Sequence, residues 1–321
     1  MTWIARRALH AVVTALLALT ILFFLIRSLP GDPLAVLSED RPLTPAQVQD
    51  LTRRYRLDQP AGDQFVTFMA GAIRGDFGTS IQYGRPVRQM VLERLPRTLL
   101  LGAAVLLINF TFGLWLGVLQ ALHRGKPLDR ILTTLSLTGY AMPAFWLGLM
   151  LVLTFAVRLH WLPAAGSQDP TLGSAGPFAI ALDRLRHLLL PALTLAAVSI
   201  ASSMRYQRAA MLEALSQPFV GAARARGLTR AQVVWQHAWR SALPSVLTLF
   251  GLWLPILVVG AVFVEQVFAW QGIGSLTAGA AAARDYPLLM GTSVLATGAV
   301  VAGSFLADVL HALVDPRVRR E

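Results

Sequence analysis

"GAARARGLTRAQVVWQH", Gly221–His237, lies between two stretches apolar enough to cross a membrane. Embedded in a bilayer, Arg224, Arg226 and Arg230 would each cost about 2.5 to 3.5 kcal/mol at a helix centre, with no apolar run around them to offset it. The segment therefore lies outside the hydrocarbon, and the runs on either side are separate spans. Ala222 and Ala223 are helix formers ahead of Gly227; after it, Leu228, Ala231, Val234 or Trp235, and Ala238 recur at three- and four-residue intervals. The pattern predicts two short helices hinged at Gly227, where the missing side chain permits a turn or a close backbone approach. Apolar residues ringed by arginine have two physical readings. They form a docking surface for a soluble partner, or a basic anchor that fixes topology and rests on anionic lipid.

Working outward, the chain of 321 residues is 55% hydrophobic and only 14% charged, with its apolar residues gathered into long runs, as in an integral membrane protein. The net charge of +11 is better explained by basic loops beside a membrane than by nucleic acid, which would call for a soluble basic domain with stacking aromatics. The chain has no cysteine, which excludes disulfides and thiolate chemistry. Its opening, "MTWIARRALHAVVTALLALTILFFLIRSLPGD", has an apolar run too long for a signal-peptide core and no small-residue cleavage site, so it is expected to stay as a first span.

Six spans are expected, at Leu9–Leu29, Thr98–Leu122, Ile131–Val157, Leu188–Met204, Ala242–Val264 and Leu288–Leu306. Arginine and lysine orient them. With a cytoplasmic N-terminus, the inner segments hold Arg6 and Arg7; Arg124, Lys126 and Arg130; Arg205, Arg208, Arg224, Arg226, Arg230 and Arg240; and Arg317, Arg319 and Arg320. The two short outer loops hold only Arg184, Arg186 and Arg284, with Arg158 at a border, which puts both termini inside. The outer stretch from Pro30 to Arg97 is arginine-rich too, but loops longer than about 60 residues cross largely regardless of charge. Within it "TPAQ", Thr44–Gln47, is a capping box with proline at the first helical position. Phe65, Phe68, Ala72 and Ile73 suggest a second short helix.

Catalytic residues are not expected. The sequence has no G-x-x-x-x-G-K-[ST] loop; Gly125 and Lys126 lack both the upstream glycine and the hydroxyl. His10, His187, His237 and His311 are scattered, so no metal site is expected. Pro143, Pro191 and Pro255 fall within expected spans and can kink them. Glu265 and Asp308 lie near span ends and are expected at the interface. Asn109, Thr133, Ser199, Ser202 and Thr248, with Thr134, either line a translocation path for a polar solute or hydrogen-bond between helices. A stand-alone secondary transporter would need buried titratable pairs, and an intramembrane enzyme a nucleophile, paired carboxylates or a metal cluster at depth. The sequence offers little for either.

The GAARARG stretch resembles the cytoplasmic loop of binding-protein-dependent ABC importer permeases, whose pattern is an acidic residue, two alanines, three variable residues and a glycine. Ala222, Ala223 and Gly227 are in step, and Gly221 replaces the acidic residue. The resemblance covers nearly the whole chain and narrows to the peptide and nickel branch. It is carried by "SLPGDP" (Ser28–Pro33), "LDQP" (Leu57–Pro60), "RGDFGTS" (Arg74–Ser80) and "RLPRTL" (Arg94–Leu99), then by "PAFWLGL" (Pro143–Leu149), "LPALTL" (Leu190–Leu195), "ARDYPLLMG" (Ala283–Gly291) and "DPR" (Asp315–Arg317). Gln271 stands where the branch commonly has proline, and Pro244 comes one position early.

The resemblance implies an all-α integral membrane protein with six transmembrane helices of the type I ABC importer permease fold. A small external helical subdomain is expected at residues 30–97, after the N-terminus and first span (1–29). A five-helix permease core (98–313) with a coupling loop (205–241) and a cytoplasmic tail (314–321) would follow. It also implies that Ala222, Ala223, Arg224, Arg226, Gly227, Leu228 and His237 couple the chain to ATPases. The implied partners are two ABC ATPase subunits that bind the ATP and magnesium, a second homologous permease and an extracytoplasmic solute-binding protein, in a bacterial inner membrane. Di- or oligopeptides are the expected cargo, with nickel chelates, glutathione or opines as alternatives within the same family.

Overall fold

Residues 3–28, 34, 37, 43–174, 176–253 and 261–314 are described by a computed structural model. Among them four helices are long and apolar enough to cross a membrane: α1 (Trp3–Arg27), the continuous Val87–Leu122, α8 (Pro177–Ser216) and α14 (Tyr286–Val314) over its stretch Tyr286–Leu310. Val87–Leu122 consists of α4 (Val87–Ile108) and α5 (Leu114–Leu122), joined by a wide π turn at Asn109–Gly113.

The run expected as one span over Ile131–Val157 is instead a pair, α6 (Pro127–Ala141) and α7 (Ala144–Leu151), the latter prolonged by a second wide turn, Val152–Arg158. The two parts are bent by 102° and make a fifth candidate span only if counted together. Met142 is the cause. It adopts the extended conformation (φ −73°, ψ 130°) that a following proline favours, and Pro143 becomes the N-cap of α7. Pro191 has no such effect, because α8 passes through it unbroken for 40 residues. The expected span Ala242–Val264 falls partly outside the described residues, Pro255 included. Helices α11 (Trp239–Trp253) and α12 (Val262–Val267) flank that gap.

The chain divides into two units, the first comprising Met1–Leu99, Val258–Val262 and Gln271–Ala302. In it, α2 (Pro45–Arg54) starts at the box anticipated from the sequence: the Thr44 amide donates to Gln47 Oε1 at 2.9 Å and the Gln47 amide returns to Thr44 Oγ1 at 3.4 Å. Helix α3 (Ala61–Arg74) meets α1 through rings, Phe23 lying 5.3 Å from Phe65 and 5.7 Å from Phe68. Val87, Met90, Val91, Leu288 and Leu289 form the core with Ile273, Leu276 and Ala280 of α13 (Ile273–Ala282). Asp285, fully buried, ties this unit together. Its carboxyl group accepts from the Ser80 hydroxyl; it also accepts from the amides of Gln82 and Leu288, both of these at 3.1 Å. Tyr55 donates to the Ser80 carbonyl at 3.2 Å, and burial pushes its phenol above the ordinary range.

The second unit comprises Leu100–Leu257, Phe263–Trp270 and Gly303–Glu321. Helix α8 is its axis, packed against α5, α6, α7 and α11. At Gly117 the approach of α5 to α8 is so close that a Cβ would stand 2.7 Å from both Gln207 Cβ and the Met204 carbonyl oxygen. Glu265, expected at the interface, is fully buried in α12.

Candidate functional site

The site is built where α8 stops. Gln217 takes an extended conformation ahead of Pro218, and that proline opens α9 (Pro218–Ala225) at a position where its missing amide proton costs nothing. The helix ends through Gly227 at φ +83°, a left-handed conformation that a Cβ would oppose. The Gly227 amide donates to the Arg224 carbonyl at 2.9 Å and the Leu228 amide to the Ala223 carbonyl at 3.3 Å, the Schellman arrangement. Its usual apolar contact is present as well, with Leu228 packing on Val220, Ala223 and Val233. Thr229 then caps the next helix reciprocally with Gln232: its amide donates to Gln232 Oε1 at 2.9 Å, and the Gln232 amide to Thr229 Oγ1 at 3.4 Å. From α10 (Arg230–Gln232) the chain continues through a third wide turn, Val233–Ala238, directly into α11.

Burial divides the segment into two faces. Ala223, Val233, Val234 and Ala238 are buried, the last two in a cluster with Val118, Ala121, Met211, Ala214 and Ala242. Facing outward are Gly221, Ala222, Arg224, Arg226, Gly227 and Arg230 together with Trp235 and Phe219; Leu228 and His237 are half-buried. The outer face is thus basic and aromatic, while most of the apolar residues that recur in the sequence turn inward. Arg230 also donates to the Leu122 carbonyl at 3.1 Å, a cation at the C-terminal end of α5. Beside it Asp129 accepts twice from Arg208, both at 2.9 Å, and once from the Gly125 amide at 2.9 Å. These bonds hold the α5–α6 turn to α8.

Of the residues singled out for a path, Thr133 accepts from Gln120 Nε2 and donates to the Asp129 carbonyl, each at 2.7 Å, and so joins helices. Ser199 is buried and bonds the Ala196 carbonyl, Ser202 is half-buried, and the side chain of Thr248 lies outside what the structure describes. Asn109 is fully buried in the wide turn, and neither end of its amide has a partner among the described residues. Two residues missed by the sequence reading share that condition, Ser203 and Gln207, both buried. Their signal was a four-residue step. Ser199, Ser203 and Gln207 line one stripe of α8, and Gly113, packed on Asn109 and Ser203, admits that stripe closely. Buried side chains able to bond yet unmatched among the described residues suit a polar solute or water.

Residues 110–320 match the family described as binding-protein-dependent transport system inner membrane component, and residues 1–102 match its N-terminal companion. The chain is 38% identical over 318 residues to the oligopeptide transport system permease protein AppB of Bacillus subtilis (strain 168), covering 98% of each chain. It is likewise 38% identical to the di/tripeptide transport system permease protein DppB of Pseudomonas aeruginosa (strain UCBPP-PA14), over 100% of this chain and 99% of that one. Among solved structures it is similar in fold to a chain of the MetNI methionine ABC transporter in inward-facing conformations. The TM-score is 0.53 at 20% identity, over 71% of this chain and 97% of that one.

Proposed function

The chain belongs to the family of binding-protein-dependent transport system inner membrane components, and on that premise we propose that it is the permease subunit through which an ABC importer moves di- or oligopeptides by alternating access. The names of its peptide-transporting relatives support the cargo. The proposed architecture has six spans of the type I importer fold with both termini cytoplasmic, and residues 30–97 as an external helical subdomain, in keeping with the distribution of arginine and lysine. A second permease, two ATPases that hold ATP and magnesium, and a solute-binding protein complete the assembly; nickel chelates, glutathione or opines are the alternative cargoes.

One observation carries the coupling mechanism. The apolar side of Gly221–His237 is packed onto its own helices; α9 follows α8 after the single extended residue Gln217, and the other end runs directly into α11. Displacement of the basic face by a closing ATPase pair is therefore passed to the spans as motion of a body. Differential affinity of that face for the open and closed ATPase states drives the path from inward- to outward-facing. Asn109, Ser199, Ser203 and Gln207 on the helices so moved are the proposed polar contacts of the path, with Thr133, Ser202 and Thr248 beside them.

The test compares wild type with Arg224→Glu/Arg226→Glu at equal membrane expression. Both residues are exposed, so the fold is spared. ATPase copurification should fall about tenfold or more, since like charges facing across an interface cost several kcal/mol, and ATP-dependent peptide uptake should fall with it. Survival of both association and uptake would reduce the segment to a topological anchor.

A further inference from the structure

Helix α1 ends its apolar run at Arg27 and α14 begins at Tyr286, and both ends open into one cavity of about 690 Å³ within the first unit. Arg27 lies 5.7 Å over the Tyr286 ring and donates to the Leu57 carbonyl at 3.3 Å. The cavity therefore stands at the level where two membrane spans meet water, the depth of lipid headgroups.

Its charge is one-sided. Arg27, Arg54, Arg56 and Arg74 line it, with Asp76 as the acidic member, and Asp76 already accepts from the Gly78 amide at 3.0 Å. Arg56 is spent on Thr67 Oγ1 at 3.0 Å. Arg54 and Arg74 carry exposed guanidiniums with no hydrogen-bond acceptor among the described residues. A second, independent feature adjoins them. On α3, Val66, Ala70 and Ile73 fall on one stripe, and Val66 and Ile73 are 66% and 84% exposed. The flank of α1 is equally bare, with Ile21 65% and Leu25 56% exposed.

We propose that this cavity binds the headgroup of an acidic phospholipid, its phosphate paired with Arg54 and Arg74 and its acyl chains lying along Val66, Ile73 and the end of α1. A phosphodiester answers the arginines, and only a ligand that also brings hydrocarbon answers the stripe. A peptide would place an ammonium group among four guanidiniums facing one occupied carboxylate.

The test titrates phosphatidylglycerol against phosphatidylcholine on the delipidated full-length chain, purified with the subunits that accompany it, and reads bound lipid by native mass spectrometry. Wild type should retain phosphatidylglycerol preferentially. Arg54→Gln and Arg74→Gln should each lower that retention about fivefold, the factor a basic residue contributes beside an anionic leaflet. Arg53→Gln removes the same charge from the same helix outside the cavity and should leave retention unchanged. Equal loss in all three variants, or no preference in wild type, overturns the site in favour of diffuse attraction. Displacement of the lipid by glycerol phosphate at matched concentration overturns the lipid source and leaves a free phosphate site. Loss of peptide uptake in Arg54→Gln and Arg74→Gln with lipid retention intact would assign the cavity to cargo or to a protein partner, and would also refute the proposal.

Discussion

Two stretches of this chain begin with nearly the same words. "TPAQ" opens α2 and "TRAQ" opens α10, and in both the threonine and glutamine exchange hydrogen bonds of matching length. Their surroundings then diverge. After Thr229 the two valines are consumed by the protein itself, Val233 and Val234 being buried at 1% and 4% exposure, while Trp235 stays outside. After Thr44 the next helix, α3, leaves Val66 and Ile73 in the open. The start signal of a helix is thus local and cheap, whereas the use of its faces depends on what lies across from them. One stretch has become a braced handle with a basic and aromatic outside; the other has kept an aliphatic outside for a solvent that is not water.

Asp285→Ala leaves the donors of Ser80, Gln82 and Leu288 unmet, at about 1 to 3 kcal/mol for each buried one. Thermal unfolding in detergent should show the largest loss here, and limited proteolysis should open residues near Ser80 while sparing Gly221–His237. A single chemical change then separates the two faces. Val234→Ala should cost about 2 kcal/mol through lost burial and an added cavity, whereas Val66→Ala should stay within about 0.5 kcal/mol; equal costs would mean that Val66 has a partner in the folded protein. The two boxes give the smallest contrast. Thr229→Ala and Thr44→Ala should each cost about 1 kcal/mol, yet only the former should weaken ATPase copurification.

Much of this was legible in advance, and the exceptions are instructive. The Thr44 box and the left-handed Gly227 are properties of a few neighbouring residues, and a sequence displays them plainly. The Thr229 box carries the same pattern, a threonine followed three residues on by glutamine, set among the arginines of that segment. Burial was less accessible. Ala222 and Ala223 are equivalent in any local scale, but one is exposed and the other sealed under Leu228. Likewise Pro143 and Pro191 look alike as letters; only the first is preceded by a residue that adopts the extended conformation and so divides its helix. Span lengths misled for a related reason. Hydropathy marks the part of α8 that lipid would tolerate, while "DRLRH" before it and "RYQRAAMLEALS" after it prolong the same helix with polar residues that favour it.

The three wide turns, Asn109–Gly113, Val152–Arg158 and Val233–Ala238, have a bearing on length itself. A π turn carries a surplus residue relative to α winding, and each residue of an α-helix advances its side chains by about 100°. Excising one residue from Val233–Ala238 would therefore return that turn to α winding and leave Trp239–Trp253 close to its present face, whereas the same deletion within an unbroken α-helix would turn everything after it by about 100°. A single-residue deletion at these places is taken up in the winding, and a relative shorter by one residue there would present the same side of the helix to its neighbours.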